Sequence, residues 1–322
     1  MTTARCVGFV ALVAFAVMSQ AAPSALSSRP VTLVVGAAAG GGIDLTARLL
    51  ASRLAQALGQ PVVVENRPGA GTRIASEYVA NARADGRTLL VTTAALATDM
   101  AMKANAADDA GHALAPVSTF ATTAMLLVVK PSLPVQSVAS LIALARAAPG
   151  TLNFSSSGPG TIGHLCGELF NRRTGADIVH VPYKGAAPSA AALLAGEVDM
   201  TFASLPAVLP FVKAGRMRVL ATTGARRSSL LPDVPSLAEA GVGGFDVSLW
   251  YGVFAPGATP RAVVNRLARA IADVADSAAF AQQLADMGAE VFVTPPAELA
   301  ELVRVEVARW SGVARTAKAT SE

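Results

Sequence analysis

Cysteine is almost absent from this chain of 322 residues, which contains two, at positions 6 and 166. Cys6 lies within an amino-terminal apolar run, so Cys166 is the one thiol in the rest of the chain, and a single thiol forms no internal disulfide. Cys166 falls between Leu165 and Gly167 in a helical pattern, where a small buried residue is more common than a nucleophile. The sequence therefore excludes a disulfide scaffold.

Histidine and charged residues are also scarce. The three histidines, His112, His164 and His180, are far apart and lack the spacing of metal ligands, so no metal site is predicted. Charged residues make up 15% of the chain, the net charge is +4, and the basic residues are dispersed. This pattern excludes the concentrated basic surface of a nucleic-acid-binding protein.

The one long apolar run stands at the amino terminus. A basic start through Arg5 precedes the run Cys6 to Met18, and small residues follow in the segment SQAAPSA. The apolar run is shorter than the roughly 20 residues that a membrane span needs, and no later stretch is long enough. The order of these features predicts a cleaved signal peptide over residues 1–25 and a soluble protein exported to the periplasm.

A glycine-rich stretch, VGAAAGGGID at 35–44, lacks the residues of both nucleotide-binding motifs. Leu45 stands where the dinucleotide fingerprint needs its third glycine, and Gly42 and Ile43 replace the lysine and hydroxyl residue of a phosphate loop. The backbone N–H groups at a helix start still suit a carboxylate. Asp44 either caps this helix or contacts a ligand, and the sequence leaves both roles open.

Two segments share the order strand, small-residue loop, helix, strand. In the first, Val31–Val35 precedes the glycine loop and a helix, and a strand follows at 61–65. In the second, a strand at 151–154 precedes the loop 155–161, a helix at 162–172 and a strand at 178–181. Such units predict parallel sheets whose ligands bind beyond the carboxyl ends of the strands, where both loops lie.

Two further strands are expected to cross between sheets, at 125–129 and at 245–254. A chain that crosses out and back builds two lobes with a cleft between them. We therefore predict an α/β fold of two lobes, with parallel-type sheets flanked by helices and a two-strand crossover. Residues 29–126 and 250–322 form the first predicted lobe, and residues 127–249 form the second.

A secreted serine hydrolase is the alternative function. Ser155, Ser156 and Ser157 are near His164 in sequence, but the G-x-S-x-G, S-x-x-K and H-E-x-x-H motifs are absent. Small hydroxyl residues in a turn are more often turn formers and hydrogen-bond donors. His164 either packs and caps or lines the cleft, and His180 in its strand is more often a partly buried structural residue.

Seven segments, in this order, resemble the tripartite tricarboxylate transporter substrate-binding proteins, also called the Bug family. The similarity runs from about Arg29 to Arg315. The segments are RPVTLVV, GGGIDLTARLLASRLAQALGQPVVVENRPGAG, DGRTLL, SSSGPGTIGHLCGELF, HVPYKGAAPSAAALLAGEVDMTF, LPDVPSLAEAG and APGATP.

The resemblance implies a periplasmic receptor that closes on a small organic anion, a di- or tricarboxylate or a related acid, and delivers it to membrane permease subunits. The expected protein is a non-enzymatic monomer without a cofactor. Whether it serves a permease or a sensor stays open. The residues expected to bind the ligand come from both lobes: Ala37, Ala39, Gly40, Gly41, Asp44, Ser155, Ser156, Ser157, Thr161, His164, Tyr183, Ala203 and Ser204.

The chain departs from the family pattern around the expected pocket. Residues 36–39 read Gly-Ala-Ala-Ala where the family usually has Pro-Phe-Ala-Pro or Pro-Phe-Ala-Ala, so an aromatic wall is missing. Ala203 and Ser204 stand where the family often carries an acid. These departures leave the identity of the ligand open.

Overall fold

The computed structural model describes residues 29–102 and 113–320. The predicted signal peptide and His112 lie outside these residues. The elements of the first half, in chain order, are β1 (Val31–Val35), α1 (Gly42–Leu58), β2 (Val62–Asn66), α2 (Arg73–Ala80), β3 (Thr88–Thr93), α3 (Ala95–Met102), β4 (Leu114–Val129), α4 (Val138–Ala147), β5 (Asn153–Ser156) and α5 (Ile162–Thr174).

The second half begins with β6 (Val179–Pro182). The elements that follow are α6 (Ala186–Ala195), β7 (Met200–Ser204), α7 (Leu205–Lys213), β8 (Arg218–Thr222), β9 (Ser248–Pro256), α8 (Arg261–Ala275), α9 (Ala278–Asp286), β10 (Glu290–Val291) and α10 (Pro296–Thr320). A single turn of 3₁₀ helix, Ala70–Thr72, precedes α2.

The two predicted strand–helix–strand units are confirmed. Strand β1 pairs in parallel with β2 and β3, and β5 pairs in parallel with β6 and β7. Helix α1 ends at Gly59, a residue type that is common at helix ends. Gly59 adopts a left-handed φ of 63°, and its N–H closes the last turn of the helix. The loops after β1 and β5 therefore lie at the carboxyl ends of parallel strands.

The linking strands make the sheet mixed rather than purely parallel. Strand β4 is 16 residues long and pairs antiparallel with β9 along its first part and with β7 and β8 along its last part. Strand β9 also pairs antiparallel with β3. The strand order is β2-β1-β3-β9-β4-β7-β5-β6, with β8 and β10 also paired to β4. The sequence indicated only the final five residues of β4.

The carboxyl-terminal region forms three helices. Helices α8 and α9 are separated by a break between Ala275 and Ala278, where Ser277 has an extended ψ of 122°. Helix α8 packs its apolar stripe on α1 and β4, and α10 packs against α3, β4 and α5. These helices pack against the sheet. The loops at the carboxyl ends of the strands can therefore contact one another.

Candidate ligand-binding site

A cavity lies where the loops after β1, β3, β5 and β7 meet. It leaves about 90 Å³ in which the centre of a water molecule can lie, which is room for several waters or a small ligand. Its polar lining consists of Thr72, Thr93, Ser157, Thr161, Ser189, Thr201, Ser204 and Tyr251. Its remaining lining consists of Ala37, Gly42, Ile43, Ala95, Met125, Ile162, Gly163, Ala186, Phe202, Ala203 and Leu249. None of these described side chains is charged.

Five helices begin at this cavity. The first residues of α1, α3, α5 and α6 line it, and Ser204, which lines it too, is the N-cap of α7. The first turns of α1, α5, α6 and α7 receive no side-chain cap. Because helix starts carry N–H groups without an intrahelical partner and a partial positive charge, their convergence favours an anion in the cavity.

Gly42 packs closely against two hydroxyl groups at one end of the cavity. A Cβ atom at this position would lie 2.8 Å from Ser204 Oγ and 3.4 Å from Tyr251 Oη. The first distance is shorter than real Cβ contacts, so the start of α1 touches Ser204 with no room for a side chain between them.

Two buried hydroxyls of the cavity have no hydrogen-bond partner among the described residues, Thr72 Oγ1 and Tyr251 Oη. Tyr251 is fully buried, and burial raises the pKa of its phenol, with the neighbouring Ser204 hydroxyl acting in the opposite direction. The two oxygens nevertheless do not meet the geometry of a hydrogen bond. The phenol is therefore neutral at physiological pH and available as a donor.

Thr72 reaches the cavity through an unusual backbone turn. Its φ is +87°, and Ala70 before it has a φ of +46°, a region that costs non-glycine residues about 1–2 kcal/mol. Gly36 makes the approach possible, because a Cβ there would lie 2.7 Å from Thr72 Cβ. The packing of these two loops holds Thr72 at the cavity wall.

A second, outer cavity continues the first toward solvent. The two share Ala37, Thr72, Ser157 and Thr161, and the outer one extends along 68–71, 158–159 and 182–185. Lys184 is the one charged side chain among the described residues that line it, and it is exposed. The described lining of the outer cavity therefore carries a single positive charge.

The loops that line the cavity also touch each other across it. The Thr98 hydroxyl of α3 donates a hydrogen bond to the Gly160 carbonyl in the loop after β5. The backbone of Gly71 approaches Pro159, and that of Gly185 approaches Ala38. These contacts hold the loops around the inner cavity together.

Six of the residues predicted to bind a ligand line one of the two cavities. Ala37, Ser157, Thr161, Ala203 and Ser204 line the inner cavity, and Tyr183 lines the outer one. The Tyr183 hydroxyl donates to Glu197 at 3.3 Å. The structure thus brings the two predicted loops together at one place.

Asp44 holds the glycine loop and does not line either cavity. Its buried carboxylate accepts hydrogen bonds from Gly40 N–H at 2.9 Å, Asn66 Nδ2 at 2.8 Å and Arg48 Nε at 3.0 Å. Burial acts to raise the pKa of Asp44, but these hydrogen bonds outweigh burial and hold the pKa below its usual value. The carboxylate therefore holds the loop that leads into α1, and it makes no capping hydrogen bond to the first turn of the helix.

The neighbouring loop residues predicted for the site lie beside it. Ala39 and Gly40 are exposed, and the Gly40 N–H is occupied by Asp44. Gly41 is buried, and a Cβ there would lie 3.6 Å from Ala186 Cβ. These positions shape the start of α1 rather than line the cavity.

Ser155, Ser156 and His164 lie behind the cavity wall. The Ser155 hydroxyl accepts from Ser189 at 2.7 Å, and Ser156 Oγ lies 2.7 Å from His180 Nε2. His164 Nδ1 accepts the Gly160 N–H at 3.1 Å, and its ring stacks on His180 with centroids 4.1 Å apart. Their hydrogen-bonding groups therefore support the loop 158–161 from behind.

The stacked histidines are neutral at physiological pH. Burial lowers the pKa of His164 to about 4, and burial together with the His164 charge lowers the pKa of His180 to about 3. The serine next to a histidine is Ser156, not a cavity residue, and its partner is His180 rather than His164. This arrangement gives the hydrolase alternative no support.

Several cavity residues were not predicted from sequence: Thr72, Thr93, Ser189, Thr201 and Tyr251. The turn before Thr72, with glycines at 69 and 71, was a usable signal. Tyr251 carried none, because it lies within a strand whose residues from Leu249 onward are all buried. In the described part of the chain, no group of three or more histidine, cysteine or acidic residues is arranged to hold a metal ion.

Comparison with known proteins gives the class of the molecule. The sequence model of the tripartite tricarboxylate transporter family receptor matches residues 46–318. The chain is similar to the protein BugT of Bordetella pertussis, with 37% identity over 290 residues that cover 89% of each chain. The molecule is thus a solute-binding receptor.

Solved structures show the same fold. The R. palustris protein Rpa4515, solved with adipate, has a TM-score of 0.87 and 40% identity, covering 91% of this chain and 99% of its own. MatC from Rhodopseudomonas palustris, solved with bound malate, has a TM-score of 0.84 and 32% identity, covering 89% and 99%. This chain belongs to the tripartite tricarboxylate transporter receptor family, and the expected fold of a periplasmic binding protein is confirmed.

Receptors of this family are periplasmic. Among the described residues, no helix combines the length and the apolar character needed to cross a membrane.

Proposed function

We propose that this protein captures a small organic acid by its carboxylate in the periplasm and delivers it to the permease subunits of a tripartite tricarboxylate transporter. The observation that carries the proposal is the convergence of five helix starts on a cavity with no charged described side chain. Such N–H groups bind a carboxylate without covalent chemistry, and a bound acid leaves intact.

The ligands of solved relatives also support a carboxylate as the ligand of this protein. Adipate and malate, which are found in the solved relatives, are both dicarboxylates. A dicarboxylate placed here would set one carboxylate against the helix starts and leave the other toward Ala37 and the outer cavity. The missing aromatic wall at 36–39 leaves that passage open.

The remaining parts of the proposal concern the whole receptor. Residues 1–25 direct export and are removed, and the mature chain acts as a monomer. Residues 29–126 with 250–322 form one lobe, residues 127–249 form the other, and the two close on the ligand by a hinge motion through β4 and β9.

A thermal-shift and calorimetry screen of organic acids tests the function. A ligand at 100 times its Kd adds about 2.7 kcal/mol of stability, which raises Tm by several degrees. Each acid is paired with its primary amide, which has a similar shape but no negative charge. We expect at least one saturable shift for an acid and none for its amide.

Two results would contradict the proposal. A broad panel of di- and tricarboxylates, aromatic acids and amino acids that produces no saturable shift would remove carboxylate capture. An amide that binds as tightly as its acid would show that the cavity does not select the charge. Mass spectrometry of the gently purified protein then identifies a ligand retained from the cell.

A further inference from the structure

A groove beside α2 has more basic than acidic side chains in its lining. It is formed by α2, the loop 81–87 that follows this helix and the start of β1, and it leaves about 940 Å³ in which the centre of a water molecule can lie. We call it the arginine groove. Its charged lining consists of four arginines and two acids: Arg29, Arg67, Arg83, Arg87, Glu77 and Asp85.

Two of these arginines have no acidic partner. The two acids of the groove form ion pairs with Arg73 at 3.7 Å and with Arg83 at 3.8 Å. Among the described residues, no acidic side chain lies within ion-pair distance of Arg29 or Arg87. Because a guanidinium group binds carboxylates through paired hydrogen bonds, these two side chains are suited to acidic groups of a partner.

Two apolar side chains are exposed in the same groove. Ile74 and Tyr78 are one turn apart on α2 and are 48% and 41% exposed. The Arg67 guanidinium lies 3.5 Å from the centroid of the Tyr78 ring, and Arg67 Nε is buried without a hydrogen-bond partner in the described part of the chain. Tyrosine and arginine are enriched in protein–protein interfaces, so the lining has the composition of a docking surface.

The arginine groove shares a wall with the outer cavity. Arg67 and Ile74 line the groove, whereas the residues between them, 68–72, line the outer cavity. Ile74 packs against this segment, because a Cβ at Gly69 would lie 2.6 Å from Ile74 Cδ1. Thr72, at the end of the segment, also lines the inner cavity. A partner in the groove would therefore contact the segment that forms one wall of both cavities.

We propose that a membrane subunit of the transporter docks in the arginine groove through a segment that carries acidic side chains around an apolar one. The acidic side chains pair with Arg29 and Arg87, and the apolar one packs between Ile74 and Tyr78. An anionic membrane fits the groove less well, because its uniform negative charge would meet the two acids as well as the arginines. This assignment rests on the proposed delivery to a permease and adds the place and the chemistry of the contact.

Photocrosslinking in the cell tests the contact. The receptor carries p-benzoylphenylalanine in place of Tyr78, and the cells import whichever of succinate, malate, adipate and citrate the unmodified receptor binds in calorimetry. We expect an adduct with an aspartate- or glutamate-containing periplasmic segment of a transporter membrane subunit, identified by mass spectrometry of the crosslinked peptides. Val305 is the matched control site, because it is also 41% exposed and lies on α10 outside the groove. An adduct with lipid, with another protein or with nothing, or the same adduct from Val305, would overturn the proposal.

Charge reversal separates docking from ligand capture. In the double variant Arg29→Glu and Arg87→Glu, the affinity for the acid should not change in calorimetry, because neither residue lines a ligand cavity. Uptake of the acid by cells that contain this variant as their receptor should fall at least about 10-fold at an equal amount of periplasmic receptor, because like charges now face each other. The double variant Arg266→Glu and Arg269→Glu makes the same change of charge on the exposed face of α8 and should support normal uptake.

The outcomes separate the docking surface from the proposed function. If the unmodified receptor supports uptake and the groove variant supports it equally well, the docking surface is refuted while the proposed function stands. A loss of acid affinity in the groove variant, or an equal loss of uptake in the α8 variant, would also refute the docking surface. If the groove variant has a lowered Tm, the crosslink from position 78 decides. If the unmodified receptor supports no uptake, delivery to a permease fails, and the docking surface fails with it.

Discussion

A single methyl group added at Gly42 should weaken ligand binding without unfolding the protein. In Gly42→Ala, the new Cβ would lie 2.8 Å from Ser204 Oγ, 3.3 Å from Pro206 Cβ and 3.4 Å from Tyr251 Oη. Ordinary contacts of a Cβ begin at 3.4 Å, so the serine hydroxyl must move by several tenths of an ångström. The methyl and the displaced serine hydroxyl would then alter the end of the cavity at which α1 begins, where the proposed function places a carboxylate.

The same substitution is mild for the fold. The φ of Gly42 is not in the left-handed region, so alanine fits its backbone. Replacing such a glycine typically stabilises a protein by about 0.4–1 kcal/mol through the unfolded chain, which offsets the small movement of Ser204. We therefore expect Tm to change by no more than a few degrees while the affinity for the carboxylate falls at least about 10-fold.

Calorimetry and thermal unfolding of the same preparation measure both quantities. Gly312→Ala is the matched control, because Gly312 lies on the exposed face of α10 with nothing within 4 Å of its would-be Cβ. Undiminished affinity in Gly42→Ala would refute the placement of the ligand beside α1. A collapse of Tm would mean that Gly42 serves packing, and the loss of binding would then carry no information on where the ligand lies.

Three further predictions concern other contacts. Thr98→Val keeps the side-chain shape but removes the hydrogen bond to the Gly160 carbonyl, so stopped-flow measurement should show faster ligand release; an unchanged rate would mean that this bond does not hold the cavity closed. Lys184→Glu reverses the one charge at the outer cavity and should slow association several-fold at low salt but not at high salt, whereas a salt-independent effect would exclude electrostatic steering. Because burial lowers the pKa of His164 from 6.5 to about 4, the unfolded chain binds more protons between these values, so Tm should fall as pH drops through that interval. The fall should be shallower in His164→Gln, and an equal slope would assign it to other groups.

The sequence was sufficient for the parts of the fold that repeat a local pattern. Strand β1 was predicted with its observed bounds, because a β-branched run that leads into a glycine loop is typical of a buried parallel strand. The loops after β1 and β5 were placed at binding ends for the same reason. Strand β4 was recognised only at its end, since its first part lacks the continuous aliphatic run of 125–129 and contains Pro116, a residue that argues against a strand.

The same distinction applies to the residues of the candidate site, because positions set by a local pattern were predicted and positions set by tertiary packing were not. Loop positions such as Ser157 and Thr161 were found because a loop at a strand end faces the cavity whatever its neighbours are. Asp44 and His164 each stand next to one of the predicted loops in sequence. Their side chains, however, turn back and accept hydrogen bonds from N–H groups of their own loops. Tyr251 was missed because the sequence of a buried strand does not show whether a side chain lies in the hydrophobic core or beside a cavity.

A site of neutral donors differs from a site with a cationic side chain in the free-energy cost of releasing the ligand, and a receptor must release its ligand as well as bind it. A buried arginine or lysine left without its partner would cost several kcal/mol each time the ligand departs, whereas an unpaired hydroxyl costs about 1–3 kcal/mol and is readily met by water. In the proposed site, helix starts and hydroxyls would therefore bind the anion while keeping the empty protein stable. The positive charge that we expect to speed the encounter is that of Lys184, which is exposed at the outer cavity.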